Sequence, residues 1–500
     1  MRTMFLRCAL LAAAAAVFSL GCGGREDASG KPPRSGRPNV IVVLVDTLRK
    51  DHLGCYGYRR DTSPFIDRLA GEGLLFENAV SQAPWTAPSM ASMFSSRYPF
   101  QLGAGVKYEH GGKAVRGDKV HGLPAGAASI AEVFHDGGYA TACITGNPFL
   151  KGTEGEKKGD KHYGKDFGMS RGFDKTRYIY FAKADKMFGA AREYIDGLRA
   201  DTGGQGRPFF LHLQMMDLHS PTSPPAPFDS KFMPLDPSKK KLYYDWKYSD
   251  GKGLGTAGFR DFRDHKVSFY DGGLAFLDSE LAKFVDYLKK GGLYEDTVIV
   301  IASDHGEEFW EHAVFETKYM RDLGDDYYGC DHGRTLFREL LDVPLIFHGP
   351  GVPAGRVRDQ VRNIDIMPSL LGLAGLPVKP GSLEGTDIVS AVRDGAIKDM
   401  PAFSEQVVAG FEKKSIQSGG YKYIMVVSPG RDGFLYDKAG DPMEADDISS
   451  RRPDVARKLR SEIEAFVMEK EKSVSGLKKA EAAEMSEATK KQLKALGYLH

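Results

Sequence analysis

Val40-Ile-Val-Val-Leu-Val45, closed by Asp46, is a run of six β-branched or aliphatic residues ending on a carboxylate. A strand with one wet face alternates apolar and polar residues, whereas an unbroken run fits a strand buried on both faces, as in a parallel sheet covered by helices. Similar runs occupy residues 139–144, 208–213, 297–302 and 343–347, and helical periodicities fall over 129–136, 182–198, 271–290 and 365–373. The expected class is therefore α/β, a mainly parallel sheet flanked by helices. In open sheets of this kind functional groups collect just beyond the carboxyl ends of the strands, and Asp46, Asp217, His219 and Asp304 all follow such runs closely.

The remaining chain divides around that core. Arg2 and Arg7 precede an apolar stretch, residues 9–20, that is too short to span a bilayer comfortably and suits a secretory signal. Ser19-Leu20-Gly21-Cys22 resembles a bacterial lipobox, with its leucine one place late, so residues 1–22 are expected to be a signal whose Cys22 is lipidated. The protein is then an extracytoplasmic lipoprotein, facing the periplasm or cell surface and tied to the membrane by its N-terminal lipid. Residues 23–38 read as a flexible tether, 39–395 as the catalytic domain, 396–470 as a small α+β subdomain, and 471–500 as a helical or disordered tail. Residues 151–165 and 231–263 are dense in Lys, Asp and Gly and read as surface loops.

Composition narrows the function. The 500 residues carry 68 Lys and Arg against 67 Asp and Glu, a formal net charge of +1, which gives no basic footprint for nucleic acid. Cys55, Cys143 and Cys330 are too few and too widely spaced for a disulfide framework or a structural zinc site; they allow one bridge at most. Gly103-Ala-Gly105 lacks the strand-turn-helix setting of a dinucleotide loop. Oligomeric state leaves no mark on the sequence.

Chemistry concentrates elsewhere. Thr86, in Ala83-Pro-Trp-Thr-Ala-Pro-Ser-Met90, stands between Asp46 and Asp304-His305-Gly306, and a hydroxyl near strand-end carboxylates and an imidazole has the makings of a metal-activated nucleophile. Such an arrangement cleaves or transfers a charged ester group.

A specific resemblance follows from residues 39–57 and 62–70, which are similar to the opening of the sulfatase family within the alkaline phosphatase superfamily. The likeness continues in order through residues 85–99, 138–148, 216–221, 270–308, His332-Gly333, 343–351 and 365–375. It implies an alkaline-phosphatase-like fold. It also implies that Asp46, Asp304 and His305, with Thr86, bind one divalent ion (calcium, magnesium, manganese or zinc), with Thr86 at the nucleophile position. Thr47 stands where many sulfatases carry a second Asp.

One departure decides the chemistry expected. Sulfatases oxidise Cys or Ser in C/S-x-P-x-R to formylglycine, but this chain reads Thr86-Ala-Pro-Ser-Met90, and neither the precursor nor the arginine is present. Asn147 likewise replaces a lysine that contacts substrate in many members. The family's threonine users act on phosphoryl groups, so phosphoester cleavage is favoured over sulfate ester cleavage, on a small-molecule, glycan or lipid substrate. His219 and His332 divide leaving-group protonation and anion binding between them, and Asn147 and Asp217 are assigned to substrate. Asp217, His219 and His332 alternatively hold a second metal. His312 and Glu308 stand near enough in sequence to reach the site, and Arg97 reads as structural. Two rival functions remain: a phosphoglycerol-type phosphotransferase of envelope glycans or lipids, and a non-catalytic binding lipoprotein.

Overall fold

The computed structural model describes residues 36–105, 120–151, 167–201, 207–234, 236, 248, 251–315, 329–379, 381–406, 412–427, 433–473 and 491. The signal with Cys22, the tether as far as residue 35, the loop 152–165 and the tail at 474–490 and 492–500 lie outside them.

The opening run is β1 (Asn39–Val45), and it sits inside an eight-stranded sheet. With β2 (Leu74–Val80), β3 (Ala140–Thr145), β4 (Lys175–Tyr178), β5 (Phe209–Met215), β6 (Thr297–Ala302), β9 (Asp342–His348) and β10 (Gly355–Arg362), the order is β10-β2-β9-β6-β1-β5-β3-β4. All neighbours are parallel except at β9, which runs against both β2 and β6. β7 (Glu308–Phe309) and β8 (Cys330–Asp331) form a separate two-stranded ribbon.

The unbroken apolar run now has its explanation. Val40, Val42 and Leu44 enter one core, with Met90, Phe94 and Phe134, while Ile41, Val43 and Val45 enter a second core with Phe188, Leu277 and Phe284. Each such buried aliphatic side chain stabilises the fold by about 1.5–3 kcal/mol relative to exposure. The first core is covered by α1 (Thr86–Ser95), the second by α2 (Ala184–Asp201) and α3 (Ala257–Lys290).

That last helix corrects an expectation. Residues 257–263 were assigned to a surface loop, yet the helix starts there, with the Thr256 hydroxyl accepting the Phe259 amide at 3.2 Å. Phe259 and Phe262 fix it by packing edge-on against Trp310, so tertiary contact overrides a polar local composition.

Past residue 400, β11 (Ala402–Gln406), β12 (Lys413–Ser418), β13 (Tyr421–Val426) and β14 (Phe434–Asp437) make an antiparallel sheet in simple order. α4 (Pro453–Ser473) lies against it through Leu459, Ile463 and Phe466. No helix among the described residues is long and apolar enough to cross a membrane. Cys55, Cys143 and Cys330 are free thiols.

Candidate active site

Strand register assembles the site. Val45 pairs with Met215, Leu44 with Ala302 and Thr145 with Gln214, so Asp46, Asn147, Asp217 and Asp304 leave neighbouring strands at nearly the same level. Thr86 arrives from the other direction as the first residue of α1, whose extended preceding residue, Trp85, is fully buried. The Ser89 hydroxyl, one turn on, donates to the Asp304 carbonyl at 2.7 Å and ties the helix to the β6 loop.

Thr86, Asp46, Asp304 and His305 converge and are entirely shielded from solvent. Thr86 Oγ1 lies 3.1 Å from His305 Nε2 and 3.4 Å from Asp46 Oδ2. His305 Nε2 is 3.5 Å from both Asp46 Oδ1 and Asp304 Oδ2. His305 Nδ1 faces the Gly306 carbonyl at 2.9 Å. A carbonyl can only accept, so Nδ1 carries the proton and Nε2 presents its lone pair to the cluster.

The electrostatics of this arrangement call for a cation. Asp46 Oδ1 and Asp304 Oδ2 are buried and accept no hydrogen bond. Burial and then the Asp46 charge push the Asp304 carboxyl far above the usual carboxylate range, while burial and the nearby His332 push His305 far below the usual imidazole range. Two donorless carboxylate oxygens and an imidazole lone pair suit a hard or borderline divalent ion, and the three residues can offer atoms within 4.8 Å of one another. The residues present fit the metal that the sequence implied.

Asn147 is turned to the same cluster. Its Nδ2 donates to Asp46 Oδ2 at 2.9 Å, and its Oδ1 accepts the Phe149 amide at 2.9 Å. Gln214, one residue beyond the apolar run 208–213 and not among the expected site residues, also donates to Asp46 Oδ2, at 3.2 Å. A Gln in an otherwise apolar buried run is the signal that could have revealed it. Thr47 makes no such contact: its hydroxyl donates to the Asp46 carbonyl at 2.6 Å.

The two outer histidines stand beside this centre. The His332 ring centroid is 4.5 Å from that of His305 and 4.9 Å from that of His219. His219 Nδ1 donates to the Ser220 carbonyl at 2.8 Å, and burial lowers its pKa, so its Nε2 is a proton acceptor. His332 differs. Burial opposes its imidazolium, but Asp331, 3.0 Å from Nδ1, and Glu307, 3.4 Å away, more than offset that and raise its pKa well above the ordinary value. Glu307 and Asp331 escaped sequence reasoning because each looks like loop charge; adjacency to His305 and His332 was the available clue.

Other expected residues sit further back. Asp217 Oδ1 accepts the Ala184 amide at 3.0 Å, at the start of α2, and burial pushes its carboxyl up to about 7. It does not join His219 and His332 in a cluster; among the described residues the second group able to hold a metal is Glu307, Asp331 and His332. His312 is engaged by Glu339 at 2.6 Å and the Glu444 carbonyl at 3.1 Å. Arg97 donates to the Ser382 carbonyl at 2.8 Å, beyond the end of α1.

Comparison with known proteins identifies the family and the fold. The family model described as Sulfatase matches residues 38–376. An arylsulfatase of Clostridium perfringens is 26% identical over 418 residues, covering 72% of this chain and 79% of its own. Lipoteichoic acid synthase 2 of Bacillus subtilis is 25% identical over 355 residues, covering 70% of this chain and 47% of its own. Among solved structures, the phosphonate monoester hydrolase of Agrobacterium radiobacter superposes with a TM-score of 0.64 at 19% identity, covering 87% of this chain and 96% of its own.

Proposed function

This chain belongs to the sulfatase family, and from that premise we propose that it is a metal-dependent hydrolase of phosphate or sulfate esters, phosphoesters favoured, with Thr86 as its nucleophile. The observation that carries this reading is the Thr86 hydroxyl lying between His305 Nε2 and Asp46 Oδ2, beside two carboxylate oxygens that lack donors. Asp46, Asp304 and His305, with Thr86, would hold one divalent cation, whose charge when bound would lower the pKa of the hydroxyl and offset that of the ester anion.

The chain's own groups divide the rest of the work. Thr86 Oγ attacks in line as the alkoxide, the form in which it is also released, so no hydroxyl proton moves in this step; its bond to phosphorus forms and the bond to the leaving oxygen breaks. The N-terminus of α1 directs backbone N–H groups at the transferred anion and favours its negative charge. His332, held as an imidazolium by Asp331 and Glu307, gives the Nε2 proton to the leaving oxygen. His219 Nε2, as the acceptor, takes a proton from the water that releases the threonyl ester. Asn147 and Gln214 keep Asp46 aimed at the centre throughout.

The bacterial lipoteichoic acid synthase relative supports a second reading, in which an acceptor alcohol replaces water and the protein is a phosphotransferase. Arg2, Arg7 and the segment ending at Cys22 support an extracytoplasmic lipoprotein.

The deciding experiment combines metal analysis with turnover of phosphate monoesters, diesters and sulfate esters by wild type and Thr86→Ala, with and without an acceptor alcohol. Loss of several orders of magnitude in kcat is expected for the variant on the preferred ester. Full turnover by Thr86→Ala would remove threonine from the nucleophile's place.

A further inference from the structure

Where the edge strand β10 meets the C-terminal sheet lies a cavity of about 350 Å³, inside the range of about 300–1,000 Å³ that small-ligand sites occupy. Asn78 and Gln360 wall it from the catalytic sheet, and Ser418, Gly419, Gly420 and Tyr421, around the β12–β13 turn, wall it from the other. Gln360 holds the two walls together, because its Nε2 donates to the Met400 carbonyl at 2.7 Å and to the Gln417 carbonyl at 2.9 Å. By strand order β10 is four places from β1, roughly 19 Å across the sheet. The cavity is therefore separate from the Thr86 centre.

Its walls carry hydrogen-bonding groups of both kinds that engage no partner among the described residues. The acceptors are Asn78 Oδ1, whose amide nitrogen is held by the Arg358 carbonyl at 2.7 Å, and Gln360 Oε1. The donors are the Gly419 and Gly420 N–H groups, which the left-handed turn (φ 60° and 81°) keeps out of the ladder. Tyr421 adds its proton, since that hydroxyl accepts from Arg452 at 3.1 Å, and the Ser418 hydroxyl can act in either sense.

Charge does not select the ligand, because each lining charge already has a partner. Lys438 is 3.5 Å from Asp342, Arg358 is 3.8 Å from Glu77, and Asp399 accepts the Gln360 amide at 2.6 Å. A cation would use the free acceptors alone, and an anion the free donors alone. A sugar hydroxyl donates and accepts at once, and a sugar ring carries several of them. Its C–H face suits the Met400 and Pro401 side chains that line the same space.

We propose that this cavity is a non-catalytic carbohydrate-binding site, taking a mono- or disaccharide unit through hydrogen bonds from both sheets. A ligand seated there bridges the catalytic and C-terminal sheets without entering the Thr86 centre, so the inference stands apart from the ester-hydrolase reading.

The test titrates the full chain with cellobiose, maltose and N,N′-diacetylchitobiose, reading saturation transfer from protein to sugar ring protons by NMR. At least one of the three should bind, and Asn78→Ala combined with Ser418→Ala should weaken it by about tenfold or more. Ser418→Ala alone removes a hydroxyl with no protein partner among the described residues, so it should weaken binding several-fold while leaving the urea midpoint unchanged. Thr86→Ala should bind as wild type does. Cosedimentation with insoluble cellulose or chitin separates the two sources of this chemistry: capture marks a polysaccharide chain, and saturation of a disaccharide without capture marks a free sugar. Absence of transfer to all three sugars at millimolar concentrations would overturn the proposal. Equal binding by the double variant, or loss of binding in Thr86→Ala, would do the same by placing the sugar elsewhere, and displacement of the sugar by inorganic phosphate would replace it with an anion site. Failure of every ester as a substrate would sink the hydrolase reading and leave this titration unaffected.

Discussion

Asn147 Nδ2 donates to Asp46 Oδ2 at 2.9 Å, which leaves Asp46 Oδ1 as the oxygen without a donor. The amide thus sorts the carboxylate into a fixed end and a free end. In Asn147→Ala that oxygen keeps only the longer contacts to Gln214 at 3.2 Å and Thr86 at 3.4 Å. Metal affinity should drop by about 10–100-fold, as expected when a group orienting a ligand is removed. Equilibrium titration with manganese or zinc measures it, and an unchanged affinity would show that Asp46 needs no such support.

The two outer histidines make opposite demands on pH. His332 acts protonated, and its pKa is raised by Asp331 and Glu307 against the effect of burial, so activity should fall on the alkaline side as that proton is lost. His219 acts neutral, and burial lowers its pKa, so activity should fall on the acid side as it gains a proton. A broad kcat plateau across neutrality is the expected profile. His332→Gln should abolish the alkaline limb and reduce kcat by about 10²–10⁴-fold; retention of that limb would assign it to another group.

Strand ends were the legible part of the site. The apolar runs located β1, β5 and β6 to within two residues, and the residues following them supplied Asp46, Asp304, His305 and His219. β2 escaped because Glu77 and Asn78 interrupt its apolar pattern, while β10 carries four charged residues along the sheet edge where solvent tolerates them. Gln214, Glu307 and Asp331 were hidden for a different reason. Their importance lies in which neighbour each one touches across the fold, and local periodicity carries no information about that.

Asp278 offers a test remote from the chemistry. From the middle of α3 its carboxylate accepts the Phe65 amide at 3.0 Å and the Ile66 amide at 2.8 Å, satisfying two N–H groups in the first turn of the helix Pro64–Glu72. Asp278→Ala should lower stability by about 1–3 kcal/mol, read as a shift of the urea midpoint. Burial pushes this carboxyl up to about 7, above its unfolded value of about 4. Its contribution is therefore complete below about pH 4 and declines as pH rises through about 7. That decline should be absent from Asp278→Ala, and identical pH profiles for the two proteins would reject the assignment.

The Lys422–Glu444 pair tests how the C-terminal sheet is joined to the catalytic unit. Both side chains are essentially sealed from solvent, with Nζ 2.8 Å and 3.0 Å from the two carboxylate oxygens, and Glu444 also accepts the Arg338 amide at 3.0 Å ahead of β9. Burial lowers the lysine's pKa and raises the glutamate's, so each charge persists only because the other is present. Lys422→Met leaves a carboxylate buried without its counter-charge and should cost about 3–5 kcal/mol. Lys422→Met combined with Glu444→Gln removes both charges, so the pair should be destabilised by clearly less than the sum of the two single variants. Strict additivity in urea unfolding would mean that the two residues act independently, and that the join between the sheets rests on the apolar contacts around Ile424 and Tyr436 instead.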